Sequence, residues 1–288
     1  MAVNPTEALR HFEHDGLTFD YVDTGGDGES VVLLHGYPGS RRSWDRMAPA
    51  LGRAGYRVLT PDQRGYSPGA RPRGRRDYSL DRLAGDLWAL ADAAGIGRFH
   101  VIGHDWGGAV CWAAAASAPE RLLSMTSLST PHPKALLRSL VSSSQVLRSW
   151  HMFVIQIPRL PEMAITSEAG GRAFVRLLVR TGLSEERATE YLDRQRSGVV
   201  GPSLNWYRAA PFNHPHRIDD IRVPTLYVYG TGDVALGRRA ADLTARYVTG
   251  PYRFEALDGV GHWIPEEHAE VVTPIVLQHL GASAHLPA

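Results

Sequence analysis

The sequence predicts an α/β fold: a mainly parallel central sheet flanked by helices and interrupted by one inserted helical segment. Three observations carry that prediction. Short apolar, β-branched runs alternate with helix-period segments across the first part of the chain and again after Val223, the pattern of strands joined by helical crossovers. Val31–Leu34 is a continuous apolar run, as strands buried on both faces are, and Phe99–Ile102 is a short, largely apolar run that fits a buried strand. Between the two alternating stretches, from Lys134 to about Asn213, the rhythm is lost and only helical patterns remain.

The elements follow in order. Arg10–Phe12 and Leu17–Val22 are predicted strands around Asp15-Gly16, a hairpin signal because both residue types tolerate positive φ. Val31–Leu34 ends in His35-Gly-Tyr-Pro-Gly-Ser40, after which a helical pattern runs through Trp44 and Leu51. Tyr56–Leu59 is the next strand and closes on Thr60-Pro-Asp-Gln-Arg-Gly-Tyr66. Leu83, Leu87 and Leu90 recur at helical spacing within Asp81–Ala94, which stops at Gly95. Phe99–Ile102 leads into Gly103-His-Asp-Trp-Gly-Gly108 and an Ala-rich helix, Ala109–Ala118. Leu122–Leu128 is the last strand before the insertion and ends at Ser129-Thr-Pro-His-Pro133. Arg172–Arg180 and Glu185–Gln195 are helical patterns inside the insertion. Val223–Gly230 resumes the alternation, followed by helix Gly237–Tyr247, strand Tyr252–Leu257 and helix Glu266–Leu280. The expected division is a core of residues 1–131 and 214–288 with an inserted helical unit at 132–213.

Composition narrows the function classes. The formal net charge is +1 over 288 residues, which gives no long-range attraction to nucleic acid or to a membrane surface. Lys134 is the only lysine, so the basic character is arginine throughout. The densest cluster, Arg71-Pro-Arg-Gly-Arg-Arg76, has no interleaved aromatics and reads as a solvated loop. Cys111 is the sole cysteine, which precludes an internal disulfide and suits a small core residue. The first residues lack a basic stretch followed by an apolar core, and no apolar run approaches the length of a membrane span. A soluble cytoplasmic protein, monomer or homodimer, is the expectation.

The chemistry concentrates at the predicted carboxyl ends of strands, where open α/β sheets collect functional groups. Gly103-His-Asp-Trp-Gly-Gly108 has the strand–turn–helix setting of a nucleophile elbow, in which a strained turn lifts the middle side chain above the sheet. That position usually holds Ser; here it is Asp105. A carboxylate, with an ordinary pKa near 3.9, is ionised at neutral pH and needs no base to attack. Its attack on an ester carbonyl would give a mixed anhydride, with little gain. Displacement at a saturated electrophilic carbon of an epoxide, alkyl halide or haloacid gives a stable alkyl ester instead. Hydrolysing that ester needs a base, and His262 follows the last strand, with Asp233 at the end of the strand before it. The order nucleophile, acid, histidine is that of hydrolase elbows. Asp233 is expected to orient the ring and His262 to activate water. Asp258, Asp219 and Asp220 are the competing acids; the last two precede their strand and lie at the wrong edge. The backbone N–H groups of Trp106 and Tyr37 are the expected oxyanion donors.

Gly103-His-Asp-Trp-Gly-Gly108 resembles the elbow of the α/β-hydrolase family, in its epoxide hydrolase and haloalkane dehalogenase branch. The resemblance covers nearly the whole chain, is strongest to bacterial soluble epoxide hydrolases, and matches residues 132–213 to the family's helical cap. It implies an α/β-hydrolase fold and conversion of an epoxide to a vicinal diol through an alkyl-enzyme ester on Asp105. In such enzymes two cap tyrosines donate to the leaving oxygen. Tyr207, within Leu204-Asn-Trp-Tyr-Arg208, matches one. The stretch Ser149–Pro158 resembles the one carrying the other, but His151 stands at that position, and an imidazole can also donate to an alkoxide. The implied pair is therefore His151 and Tyr207. Asp62-Gln-Arg-Gly-Tyr66 is similar to a strand-end motif of the same branch, with Asp62 and Arg64 as structural supports.

Two other readings stay open at this stage: a haloalkane dehalogenase using the same triad, with Trp106 as a halide donor, and a non-catalytic or slow-turnover ligand-binding homologue. Haloalkane dehalogenases commonly carry Asn where Tyr37 stands. Haloacid substrates are disfavoured because no Arg follows the nucleophile. An apolar pocket is expected around Trp150, Phe153 and Trp206, with Leu177 and Phe212 nearby, for a small apolar organic substrate. His132, His214 and His216 lack ligand-like spacing to acidic or Cys partners and read as loop residues, so no metal is expected. No phosphate-cradling glycine pattern follows a strand, so no cofactor is expected.

Overall fold

The computed structural model describes residues 9–143, 145, 150–218 and 220–283; within these, the side chains of Trp150, His151 and Phe153 lie outside what is described. Strands β1 (Leu9–His14) and β2 (Leu17–Asp23) pair as an antiparallel hairpin, with His14 opposite Leu17. Asp15 and Gly16 at its tip take φ of 54° and 71°, the turn hand that matches strand twist. The remaining strands are β3 (Ser30–Leu34), β4 (Arg57–Pro61), β5 (Phe99–His104), β6 (Leu122–Leu128), β7 (Thr225–Gly230) and β8 (Tyr252–Leu257). They form one sheet ordered β1-β2-β4-β3-β5-β6-β7-β8. Only the β1–β2 and β2–β4 pairs are antiparallel; the rest are parallel.

β3 and β5 are buried at every residue; the apolar run of β3 predicts this, while β5 also buries His100, which hydrogen-bonds Ser124 Oγ at 2.8 Å. Helices α1 (Ala48–Arg53), α2 (Leu80–Ala93) and α3 (Trp106–Ser117) connect the first strands. Leu83, Leu87 and Leu90 of α2 pack with Trp112 of α3 on one face of the sheet, while Leu51, Ile264, Val272 and Val276 close the other. The segment expected to run helically through Trp44 and Leu51 is split. A single turn at Arg41–Trp44, capped by Ser40, precedes α1, whose first turn takes Pro49, the position a proline tolerates. α3 starts at Trp106, not Ala109, and its glycines are helical. A Cβ on Gly107 would lie 2.0 Å from the carbonyl oxygen of Leu34, so that glycine permits close helix–strand packing and does not mark a loop.

Between β6 and β7 the chain forms α4 (Pro133–Ser142), α5 (Trp150–Ile155), α6 (Leu160–Thr166), α7 (Glu168–Arg180), α8 (Glu185–Arg194) and α9 (Val200–Arg208). Among the described residues no strand interrupts them. α10 (Arg238–Thr244) packs against α4; α11 (Ile264–Glu267) and α12 (Ala269–Ser283) end the described chain, so the last predicted helix is two helices separated at His268. The inserted helices are pinned over the strand ends by buried polar contacts. Tyr191 on α8 donates to Glu266 Oε1 at 2.7 Å, and Arg194 pairs with buried Asp62 at 2.7 Å. Among the described residues no helix is long and apolar enough to cross a membrane.

Candidate active site

Asp105 sits where β5 hands over to α3, at φ 51° and ψ −119°. A non-glycine residue at positive φ costs roughly 1–3 kcal/mol and persists only where its surroundings fix it. Here the peptide is held from both sides: Asp105 N–H donates to Leu128 O at 3.3 Å, and Thr130 Oγ1 donates to Asp105 O at 2.6 Å. The side chain leans over the loop after β3. A Cβ on Gly36 would lie 2.4 Å from Asp105 Cβ, so only glycine lets that loop approach. The approach brings the Tyr37 N–H to 2.9 Å from Asp105 Oδ1. Trp106, next along, is the first residue of α3, and helix-initial N–H groups have no intrahelical acceptor.

The other carboxylate oxygen faces histidine. His262 Nε2 is 3.7 Å from Asp105 Oδ2, and its Nδ1 hydrogen-bonds Asp233 Oδ2 at 2.8 Å. Asp233 is buried, and its second oxygen accepts the N–H groups of Ala235 at 2.7 Å and Leu236 at 3.0 Å. Burial by itself disfavours the charged carboxylate, but the imidazolium, its hydrogen bond and those two N–H groups outweigh it and hold Asp233 below the usual carboxylate range. For His262 burial works against the charged ring, while the negative charges of Asp233, Asp105 and Glu266 work for it and lift its pKa to about 9. The His262 backbone is fixed as well. His104 Nε2 and Ser129 Oγ both donate to its carbonyl oxygen at 2.9 Å. Burial holds the His104 pKa below its ordinary value, which suits a neutral donor ring.

Above Asp105 stands Tyr207 of α9. Its ring meets Tyr37 edge-on at 5.3 Å and Trp106 edge-on at 5.1 Å. Burial, then the Asp105 charge, push its phenol well above the ordinary tyrosine range, so it stays protonated and able to donate. These groups open into a cavity of about 560 Å³. Apart from Thr130 and Thr181, the rest of its wall is apolar, including Ile155, Ile165 and Leu204 from the insertion and Leu236 and Trp263 from the core. Leu177 and Val234 line it while remaining 51% and 49% exposed, and they mark its mouth.

The structure thus brings Asp105, His262, Asp233, Tyr207, Tyr37 and Trp106 into one constellation. Asp258 accepts from Thr231 Oγ1 at 3.0 Å, while the His262 Nδ1 partner is Asp233; Asp220 is exposed, and Asp219 lies outside the described residues. Trp206 is a correction. It is fully buried, is absent from the cavity wall, donates from Nε1 to Arg64 O at 2.7 Å and stacks on His35. Successive helical residues point about 100° apart, so with Tyr207 facing the cavity its neighbour faces the core. Phe212 also leaves the cavity: the Arg76 guanidinium covers its ring at 5.0 Å. Leu177 does line the cavity. The side chains of Trp150, His151 and Phe153 lie outside the described residues. His132, expected as a loop residue, is buried and caps α4 by accepting from Lys134 N–H.

Sequence reasoning missed His104, Ser129, Thr130 and the Tyr37 ring. Only His104 left a signal, as the residue preceding Asp105 in the elbow. No group of three or more His, Cys, Asp or Glu among the described residues could hold a metal ion.

Comparison with known proteins agrees with this architecture. The family described as alpha/beta hydrolase fold matches residues 29–269. Epoxide hydrolase A of Mycobacterium tuberculosis is 33% identical, the match covering 96% of this chain and 97% of that protein. The AB hydrolase superfamily protein YfhM of Bacillus subtilis is 31% identical over 92% of this chain and 99% of its own length. Among solved structures, epoxide hydrolase A from Mycobacterium thermoresistibile superposes with a TM-score of 0.80 at 27% identity, covering 96% of this chain and 98% of that one.

Proposed function

The chain belongs to the alpha/beta hydrolase fold family, and from that premise we propose that it is an epoxide hydrolase acting on small apolar epoxides, with residues 132–213 as its cap. One observation carries the reading: a carboxylate at the elbow with one oxygen on a backbone N–H and the other toward a histidine, beneath a protonated tyrosine. The names of the relatives support it.

In the proposed mechanism the two carboxylate oxygens take different roles. Oδ2 attacks an epoxide carbon, and the carbon–oxygen bond of the ring breaks. The departing alkoxide takes a proton from Tyr207, with His151 as its proposed partner. The product is an ester of Asp105. His262 then removes a proton from water, which attacks Asp105 Cγ. Charge develops on Oδ1, already 2.9 Å from the Tyr37 N–H, with the Trp106 N–H as its proposed second donor. Collapse expels the diol, whose departing oxygen takes the proton held by His262. The proton of the new Asp105 carboxyl returns to the Tyr207 phenolate, which restores the carboxylate, the neutral ring and the phenol. Asp233 keeps His262 in the right tautomer and stabilises its cation.

In this path the second diol oxygen comes from Asp105, and the oxygen of water ends in the protein. Single turnover with excess enzyme in ¹⁸O-water tests it. Label in the Asp105 peptide and none in the diol is the expected result. Label in the diol would mean direct hydrolysis, and turnover of haloalkanes with none of epoxides would make the protein a dehalogenase.

The pKa of His262 sets a pH expectation. In the free enzyme the ring is raised to about 9, so it is charged at neutral pH. Part of that rise comes from the Asp105 charge, and esterification removes that charge. The pKa is therefore expected to fall on alkylation, though Asp233 still holds it up, and the fall favours release of the proton that frees the base. The rate of ester hydrolysis is expected to rise with pH through a midpoint below that of the free enzyme. Pre-steady-state hydrolysis against pH, beside an NMR titration of His262, checks this; equal midpoints would refute it.

A further inference from the structure

We propose that Gln145 is a positioning residue for the acid–histidine pair, clamping the loop after β7 from the inserted segment. The proposal rests on the reaction assigned above. Gln145 is 1% exposed, which for a glutamine requires both ends of the amide to be satisfied. Both are, by the same loop. Its Nε2 donates to Ala235 O at 2.8 Å, and its Oε1 accepts the Gly237 N–H at 2.8 Å. The two contacts flank Leu236. Within that short arc, the N–H groups of Ala235 and Leu236 reach Asp233 Oδ1, which leaves Oδ2 to His262.

The consequence is a chain of dependence. The Ala235–Gly237 arc is made of small and apolar residues; Tyr229 Oη reaches Leu236 O at 3.4 Å, and on either side of that contact Gln145 supplies a shorter, two-point attachment. Without it, the N–H groups that hold Asp233 lose their fixed direction, and the Nδ1–Oδ2 contact loses its geometry. Gln145 follows α4, at the entry to the insertion, while the loop it holds belongs to the core. The placement of the inserted segment is thereby tied to the protonation of His262. Alkylation of Asp105 does not pass through this link; hydrolysis of the ester does.

The test is Gln145→Leu, which keeps the bulk and removes both contacts, beside Gln145→Glu, which keeps the acceptor for Gly237 N–H and loses the donor to Ala235 O. Two readouts are taken on each folded variant. One is the low-field proton resonance of His262 Nδ1–H and its titration in substrate-free protein. The other is the split between alkylation and ester hydrolysis in pre-steady-state kinetics. For Gln145→Leu the resonance should broaden and the titration midpoint fall below wild type. Hydrolysis should slow roughly tenfold, the low end for loss of an outer partner that orients a functional histidine, with alkylation unchanged. Gln145→Glu should lie between, and it carries the test if the leucine variant does not fold. An unchanged resonance and titration in a folded variant overturn the proposal, as does equal slowing of both steps. If the wild type is alkylated by no epoxide, the reaction assignment fails, while the spectroscopic arm still decides whether Gln145 positions the pair.

Discussion

Asp105→Asn is expected to abolish diol formation, by at least about 10⁴-fold. At 1.36 kcal/mol per decade, that is roughly 5.5 kcal/mol of lost transition-state stabilisation. The substitution is close to isosteric. Its carbonyl oxygen can still accept the Tyr37 N–H, and Asn is among the residues that best tolerate the positive φ of 51° found at the elbow. What disappears is the nucleophile, because a neutral amide does not displace at a saturated carbon. The His262 ring changes too. Asp105 is one of the charges that lift it to about 9, so the variant's ring should titrate lower. Two measurements check the expectation: diol release by the freshly folded variant, and the mass of the peptide containing residue 105. The mass matters because a histidine-activated water facing an amide can convert Asn to Asp; activity that grows with incubation in step with that mass change belongs to restored enzyme. Turnover above about 1% of wild type with Asn intact would sink the covalent reading. It would leave His262 as the base in direct attack of water on the epoxide, with Asp105 merely its ionic partner.

Some features of the site were legible in the sequence and others were not, and the difference is physical. Asp105, Asp233 and His262 could be found because each ends a strand of a parallel sheet, where chain order alone brings remote residues to one edge. The flanking glycines advertise themselves because close backbone approach excludes every side chain, as the Gly36–Asp105 contact illustrates. Trp206 was misplaced for a reason no composition reveals. Within one helix, which of two adjacent aromatics faces a cavity depends on rotation about the axis, set here by the bond of Trp206 to the Arg64 carbonyl. The supports of His262 were invisible for another reason. His104 and Ser129 act on a backbone carbonyl, and a carbonyl carries no residue identity for sequence to reveal. Gln145 escaped notice likewise, since its partners are main-chain atoms of a loop that is remote in sequence. The fold was the easier problem: β3, buried throughout, leaves an unbroken apolar run and β5 a largely apolar one, whereas the break at His268 and the early start of α3 depend on local packing.

Replacing His262 with Gln should stop turnover by roughly 10⁶-fold while leaving the first half of the reaction standing. The glutamine amide can still donate to Asp233, so the buried carboxylate keeps a partner. Asp105 loses the cationic neighbour 3.7 Å away but remains a carboxylate on the Tyr37 N–H, and Tyr207 remains above it as the donor. Ring opening therefore proceeds and the ester persists, because nothing in the variant deprotonates water at Cγ. Intact mass after exposure to a panel of epoxides should rise by the mass of the whole epoxide, since ring opening expels no fragment, and the increment should map to the peptide containing Asp105. A haloalkane would add its mass less hydrogen halide, so the size of the increment also identifies the leaving group. The decisive failure is a wild-type enzyme that converts an epoxide whose adduct never forms in the variant. Water would then have to reach the substrate directly, and the carboxylate held between Tyr37 and His262 would be an electrostatic partner instead of the nucleophile.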